Sequence, residues 1–210
     1  MKMKDFKEAK HKTIIALDDN INDKDLKSLT TRAKEVPCDK ESLRFTNSKE
    51  LYKIISTLKS VIENNNIASL SAPQIGYDAR VFALDFEGEI KTFINPFISD
   101  GSGLTLSRET CSSLPGIEFL IPRRKEITIY AQSPTGQIQP YTFRNTAACV
   151  VQHCIDHLDG VLLCDIGLEL DEDFDKATKE EQDELISWYI GTLELQKEEL
   201  NTEIENDEVL

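Results

Sequence analysis

The sequence predicts an α+β fold, with helices packed on antiparallel sheets around one buried central helix. Three observations carry this reading. An amphipathic run, "SKELYKIISTLKSVIENNN", comes first; short apolar or alternating segments follow; then comes a segment that is apolar on nearly every side, "TAACVVQHCIDHL".

In the first run, Leu51, Ile54, Ile55, Leu58, Val61 and Ile62 recur at helical spacing. Ser48 reads as its cap and the asparagines after it as its stop. "ARVFALDF" reads as a short strand, and "EIKTFINP" as a second one ending at the Asn95-Pro96 turn signal. "KEITIYAQ" alternates, with Ile127, Ile129 and Ala131 on one side and Thr128 and Tyr130 on the other. "SPTG" reads as a turn and "QIQPYTF" as the returning strand. The second helix should run from Asn145 or Thr146 to Asp159, with Gly160 as its stop. Its lack of a polar side makes it a buried helix. A third helix is expected over roughly Thr178 to Glu205, with apolar positions including Leu185, Trp188 and Leu193.

The 210 residues suffice for one domain and an appendage, placed at residues 1–166 and 167–210. Residues 167–210 hold 16 acidic residues and three lysines, so they carry -13 of the net -14. An acidic tail repels phosphate backbones, which argues against a nucleic-acid partner. No apolar run approaches the roughly 18 residues of a membrane span. The start, "MKMKDFKEAKHKTIIALDD", lacks the apolar stretch and cleavage site of a secretory signal. An odd count of five cysteines without framework spacing points to a reducing cytoplasm. Cys38, Cys149 and Cys164 read as small core residues.

His153 and His157 stand four apart on the buried helix, so both imidazoles face one spot. Buried histidines need a partner, and a metal ion is one. Taken alone, the pair reads equally well as two satisfied core histidines. A metal site with room for water needs a third protein ligand. The candidate is Cys111, in the polar stretch "ETCSSLPG". Two imidazoles and a thiolate suit zinc or ferrous iron.

Three ordered segments resemble the peptide deformylase family: "IASLSAPQIG", "ETCSS" and "QHCIDH". They stand where that family has Gly-x-Gly-Leu-Ala-Ala-Pro-Gln, Glu-Gly-Cys-Leu-Ser and Gln-His-Glu-x-Asp-His. The flanks "LPG", "LDGVL", Asn95-Pro96 and Pro122-Arg123 also match, and the likeness spans roughly Leu29 to Asp165. The resemblance implies that Cys111, His153 and His157 hold one divalent ion, Fe2+ or Zn2+. It implies that Gln74 and the backbone N–H of Ser112 stabilise an oxyanion. Ser69, in the first motif, and Arg123 fall at substrate-facing positions. The implied reaction is removal of formyl from an N-formylmethionyl peptide or nascent chain by metal-activated water. In the bacterial family a basic C-terminal helix docks the enzyme on the ribosome; the acidic tail here makes that docking doubtful.

The chain departs from the pattern. Ile67 and Ser69 replace glycines that let backbone approach a ligand. Thr110 and Ser112 replace the glycine and leucine flanking the cysteine. Cys154 stands where the family has the glutamate that moves the proton. A missing general base costs about two to four powers of ten in rate. Three roles for Cys154 remain open on the sequence. The site binds metal but is catalytically dead; Cys154 serves as a base through a bridging water; or its thiolate closes the metal site as a fourth ligand. The first two give an impaired metallohydrolase or a metal- or peptide-binding pseudoenzyme acting through partner contacts. Asp156, three positions past His153 and one before His157, suits a supporting role.

Overall fold

The computed structural model describes residues 14–17, 21–39, 41–86, 88–170, 174 and 176–191. The chain divides into two compact units, Met1–Gly167 and Leu168–Leu210. In the first, helix α1 (Asp23–Thr30) and helix α2 (Ser48–Asn65) precede strand β1 (Ser69–Ser71) and a 3-10 turn over Ala72–Ile75. Strands β2 (Val81–Phe86), β3 (Glu89–Cys111), β4 (Leu114–Gln132) and β5 (Ile138–Arg144) follow. Helices α3 (Thr146–Asp159) and α4 (Leu163–Ile166) close the unit. The strands pair in the order β1-β2-β3-β4-β5, all antiparallel.

Strand β2 explains how two helices share one sheet. Successive side chains of a strand point to opposite faces. Val81 and Ala83 join Leu51, Ile54, Leu58 and Val61 of α2 in one core. Phe82 and Leu84 join Val151, Cys154, Ile155 and Leu158 of α3 in another. The expected alternation in β4 holds, with Ile127, Ile129 and Ala131 buried in the α3 core. Phe93 stacks on Phe82 at 4.7 Å and meets Tyr141 and Phe143 edge-on. Each such fully buried apolar side chain stabilises the fold by about 1.5–3 kcal/mol. A third cluster gathers Leu29, Leu114, Phe119, Ile121, Leu162 and Leu163 around Cys111, at the closed end of the β3–β4 hairpin.

Three local readings change. The cap of α2 is Asn47, not Ser48: its side chain accepts from the Glu50 N–H, and Ser48 is the first helical residue. Asn66, left-handed at φ 52°, ends that helix. Asn95-Pro96 does not end a strand. It makes a register shift between Ile94 and Phe97 through which β3 continues. Asn95 adopts φ 49° there, and its side-chain amide exchanges two hydrogen bonds with the backbone of Val36. Finally, Cys164 is exposed and Cys38 half-buried, so of the three presumed core cysteines only Cys149 is buried.

Helix α3 runs as expected. Gly160 caps it at φ 75°, with its N–H reaching the Asp156 and His157 carbonyls. A Cβ on Gly160 would lie 2.7 Å from the Thr31 carbonyl carbon, so backbone closes over this helix end. Ala33 N–H and the buried Arg80 guanidinium both donate to Leu158 O, and Arg80 also pairs with Asp159. These contacts fix the helix that carries both histidines.

In the second unit, Leu168–Leu170 forms a short strand and residues 179–191 are helical. Thr178 caps that helix by accepting from the Glu181 N–H, while Glu181 accepts from the Thr178 N–H. The rest of the expected third helix, from residue 192, lies outside the described residues. No helix among the described residues is long and apolar enough to cross a membrane.

Candidate metal centre

Cys111, at the end of β3, meets His153 and His157 of α3. Their ligand atoms all lie within 4.8 Å of one another. Cys111 Sγ is 3.2 Å from His157 Nε2, and the imidazole centroids are 4.9 Å apart. Bonds of about 2.3 Å to sulfur and about 2.0 Å to nitrogen place such donors roughly 3.5 Å apart around one ion. The donor set and its convergence therefore fit a zinc- or iron-type ion. Cys111 and His157 are buried, and His153 lies at the cavity wall.

Each ligand is held from behind. His153 Nδ1 lies 3.0 Å from Glu109 Oε2, which leaves Nε2 for the centre. Arg123 grips both oxygens of Glu109 at 2.8 and 2.9 Å, and its third nitrogen donates to Asp156 at 2.6 Å. Asp156 lies on α3, three residues past His153, so the contacts close a ring. Ser113 N–H donates to Cys111 Sγ at 3.4 Å. His157 Nδ1 is buried without a hydrogen-bond partner among the described residues, so packing orients that ring.

Gln74 sits in the 3-10 turn Ala72–Ile75, directly after Pro73. Its Oε1 accepts from Ser71 N–H at 2.9 Å. Its Nε2 donates to Ser113 Oγ at 3.2 Å and lies 3.8 Å from Cys111 Sγ. The amide is thus fixed with its N–H edge beside the thiolate. A cavity of about 310 Å³ opens here, lined by Gln74, Glu109, Cys111, Ser112 and His153, with Ser69 and Ile67 on its rim.

The charges are coupled. Burial pushes the Cys111 thiol up, but hydrogen bonds and charge from His153 and His157 override it and bring it to about 5. Burial pushes His153 down, while Cys111 and Glu109 raise it to about 9. Burial opposes ionisation of Glu109, yet Arg123 and His153 hold it at about 2. At neutral pH without metal, the centre is a thiolate–imidazolium pair backed by a carboxylate.

The sequence profile described as polypeptide deformylase matches residues 19–171. The chain belongs to the polypeptide deformylase family. A peptide deformylase from Dictyoglomus thermophilum is 37% identical over 142 residues, covering 67% of this chain and 87% of that protein. The crystal structure of the peptide deformylase from Thermotoga maritima aligns with a TM-score of 0.62 at 29% identity. That alignment covers 73% of this chain and 95% of that one. A peptide deformylase from Synechococcus elongatus, solved in complex with actinonin, shares the fold with a TM-score of 0.63 at 24% identity. It covers 75% of this chain and 79% of that one.

Within this polypeptide deformylase fold, two residues sit where the sequence reading did not put them. Arg123, expected beside the substrate backbone, is 4% exposed and committed to Glu109 and Asp156 behind His153. Cys154 is 1% exposed, in the apolar core with Phe82, Leu84 and Leu158. Burial, only partly opposed by Ser69 and Ser71, pushes its thiol up to about 12. A thiol that stays protonated is no base at neutral pH, and Cys154 is not among the converging ligand atoms. Sequence reasoning missed the role of Glu109. Its signal was present: on a strand, a residue two before Cys111 points to the same face.

Proposed function

We propose that this chain holds one divalent ion, Fe2+ or Zn2+, on Cys111, His153 and His157. It receives the N-formyl end of a peptide or nascent chain in the adjoining cavity, and removes the formyl group slowly. The observation that carries this reading is the convergence of the three ligand atoms within 4.8 Å beside a cavity lined by Gln74. Family membership gives the reaction class, with N-formylmethionine as the expected terminus.

When bound, the ion supplies Lewis-acid activation of water and of the formyl carbonyl. The protein supplies the rest. Gln74, its Oε1 tied to Ser71, presents Nε2 as a fixed donor to the formyl oxygen as negative charge develops there. The Ser112 backbone N–H is the second donor, on a residue that lines the cavity. His153 is kept in one tautomer by Glu109. The missing part is proton transfer. Glu109 lines the cavity, but at about 2 it is a weak base and both its oxygens are engaged. Cys154 stays protonated in the core. The acidic sequence of residues 167–210 argues against docking on ribosomal RNA, and five free thiols fit a cytoplasmic setting.

A Cys154→Glu variant tests the reading. Formate release from a metal-loaded N-formyl tripeptide assay should rise by about 10²–10⁴-fold over wild type, and His153→Ala should abolish it. Absence of formate from both wild type and Cys154→Glu, each metal-loaded and folded, would refute the enzyme. The buried, protonated state of Cys154 favours a second reading, a pseudoenzyme that binds formyl peptides without turnover. Wild type that binds formyl peptide yet releases no formate would select it.

A further inference from the structure

The cavity continues past the metal ligands between two elements. On β3, Ser107 stands two residues before Glu109 and so shares its face. On α3, Thr146, Cys149 and Val150 precede His153 by seven, four and three residues, the spacing of one helical face. All of them line the same cavity. On these two faces the wall is therefore two hydroxyls, a thiol and Val150, while Ile67 lines the same cavity. The Ser107 and Thr146 hydroxyls make no side-chain hydrogen bond among the described residues, although each has donor and acceptor capacity. Neither has a part in holding the ligands. A long apolar side chain laid there would desolvate both hydroxyls without replacing their water hydrogen bonds. A short hydroxylated side chain would pair with them.

We infer that Ser107, Thr146 and Cys149 set the specificity of this site for N-formyl peptides whose first side chain is short and hydroxylated, in preference to methionine. This rests on the proposed formyl-peptide site and replaces methionine with a short hydroxylated residue as its preferred first residue. A site that hydrogen-bonds a substrate hydroxyl discriminates more sharply than an apolar slot does.

The test is calorimetric binding of N-formyl-Ser-Ala-Ser and N-formyl-Met-Ala-Ser to the zinc-loaded full-length chain. The seryl peptide should bind at least about tenfold tighter. In the Ser107→Ile/Thr146→Leu variant the preference should reverse. Thr146 is exposed; Thr146→Leu alone should narrow the preference if the double variant does not fold. Equal or tighter binding of the methionyl peptide by wild type would overturn the inference and leave the proposed function standing. A seryl preference unchanged in both variants would overturn the assignment to these residues. Failure of zinc-loaded protein to bind either peptide would overturn both this inference and the proposed function.

Discussion

At Arg123 one buried guanidinium holds two carboxylates, and through Glu109 it holds a candidate metal ligand. Removing one partner of such a group leaves uncompensated buried charge, which costs about 3–5 kcal/mol. An Arg123→Met variant should lose stability of that order in urea unfolding and bind metal about 10–100-fold more weakly. Unchanged values would show that Glu109 is held without it. The pair of ionised groups in front of it makes a pH prediction. His153 lies at about 9, above its ordinary 6.5, and Cys111 at about 5, below its ordinary 9.0. Between those values the metal-free site holds thiolate and imidazolium. Metal needs His153 neutral, so binding must expel its proton throughout that window, and affinity should fall as pH drops from about 9. Below about 5 Cys111 is also protonated, and the dependence should steepen. Calorimetry in buffers of different ionisation enthalpy reads the proton count; pH-independent binding from 6 to 8 would contradict these charges. The candidate ligands were legible in sequence because they sit in local motifs. The burial of Arg123 was not, because it depends on β3, β4 and α3 meeting across the chain.

Helix α3 was the most legible element, since uninterrupted apolar character and a terminal glycine state both its burial and its end. Gly160 has two reasons to be glycine: its left-handed φ of 75° and the 2.7 Å approach to Thr31. Gly160→Ala must strain the backbone or displace residues 30–31. It should cost more than the about 1 kcal/mol typical of the left-handed penalty alone, and the loss should appear as a lower melting temperature in metal-free and metal-loaded protein alike. A neutral effect would mean that the chain over this helix end yields freely. The β3–β4 hairpin was the least legible element. Its middle, "SDGSGLTLSRET", offers no steady apolar alternation because much of that stretch is solvent-exposed. Pairing with β4 defines it, and pairing partners are not written in a strand's own sequence.

At the scale of the molecule, strand β2 packs on α2 with one face and on α3 with the other, and the third core wraps the turn that carries Cys111. The cysteine and the histidines stand 42 and 46 residues apart in sequence, yet the fold presents them to one point. The α+β class followed from periodicity, and the family resemblance supplied the third ligand that spacing alone did not. The most direct test of the account is X-ray absorption on zinc-loaded full-length protein. It should show one sulfur at about 2.3 Å and two imidazole nitrogens at about 2.0 Å, with the sulfur lost in Cys111→Ser. Two sulfurs would bring Cys154 into the centre, and no sulfur would remove Cys111 from it; either result contradicts the site described.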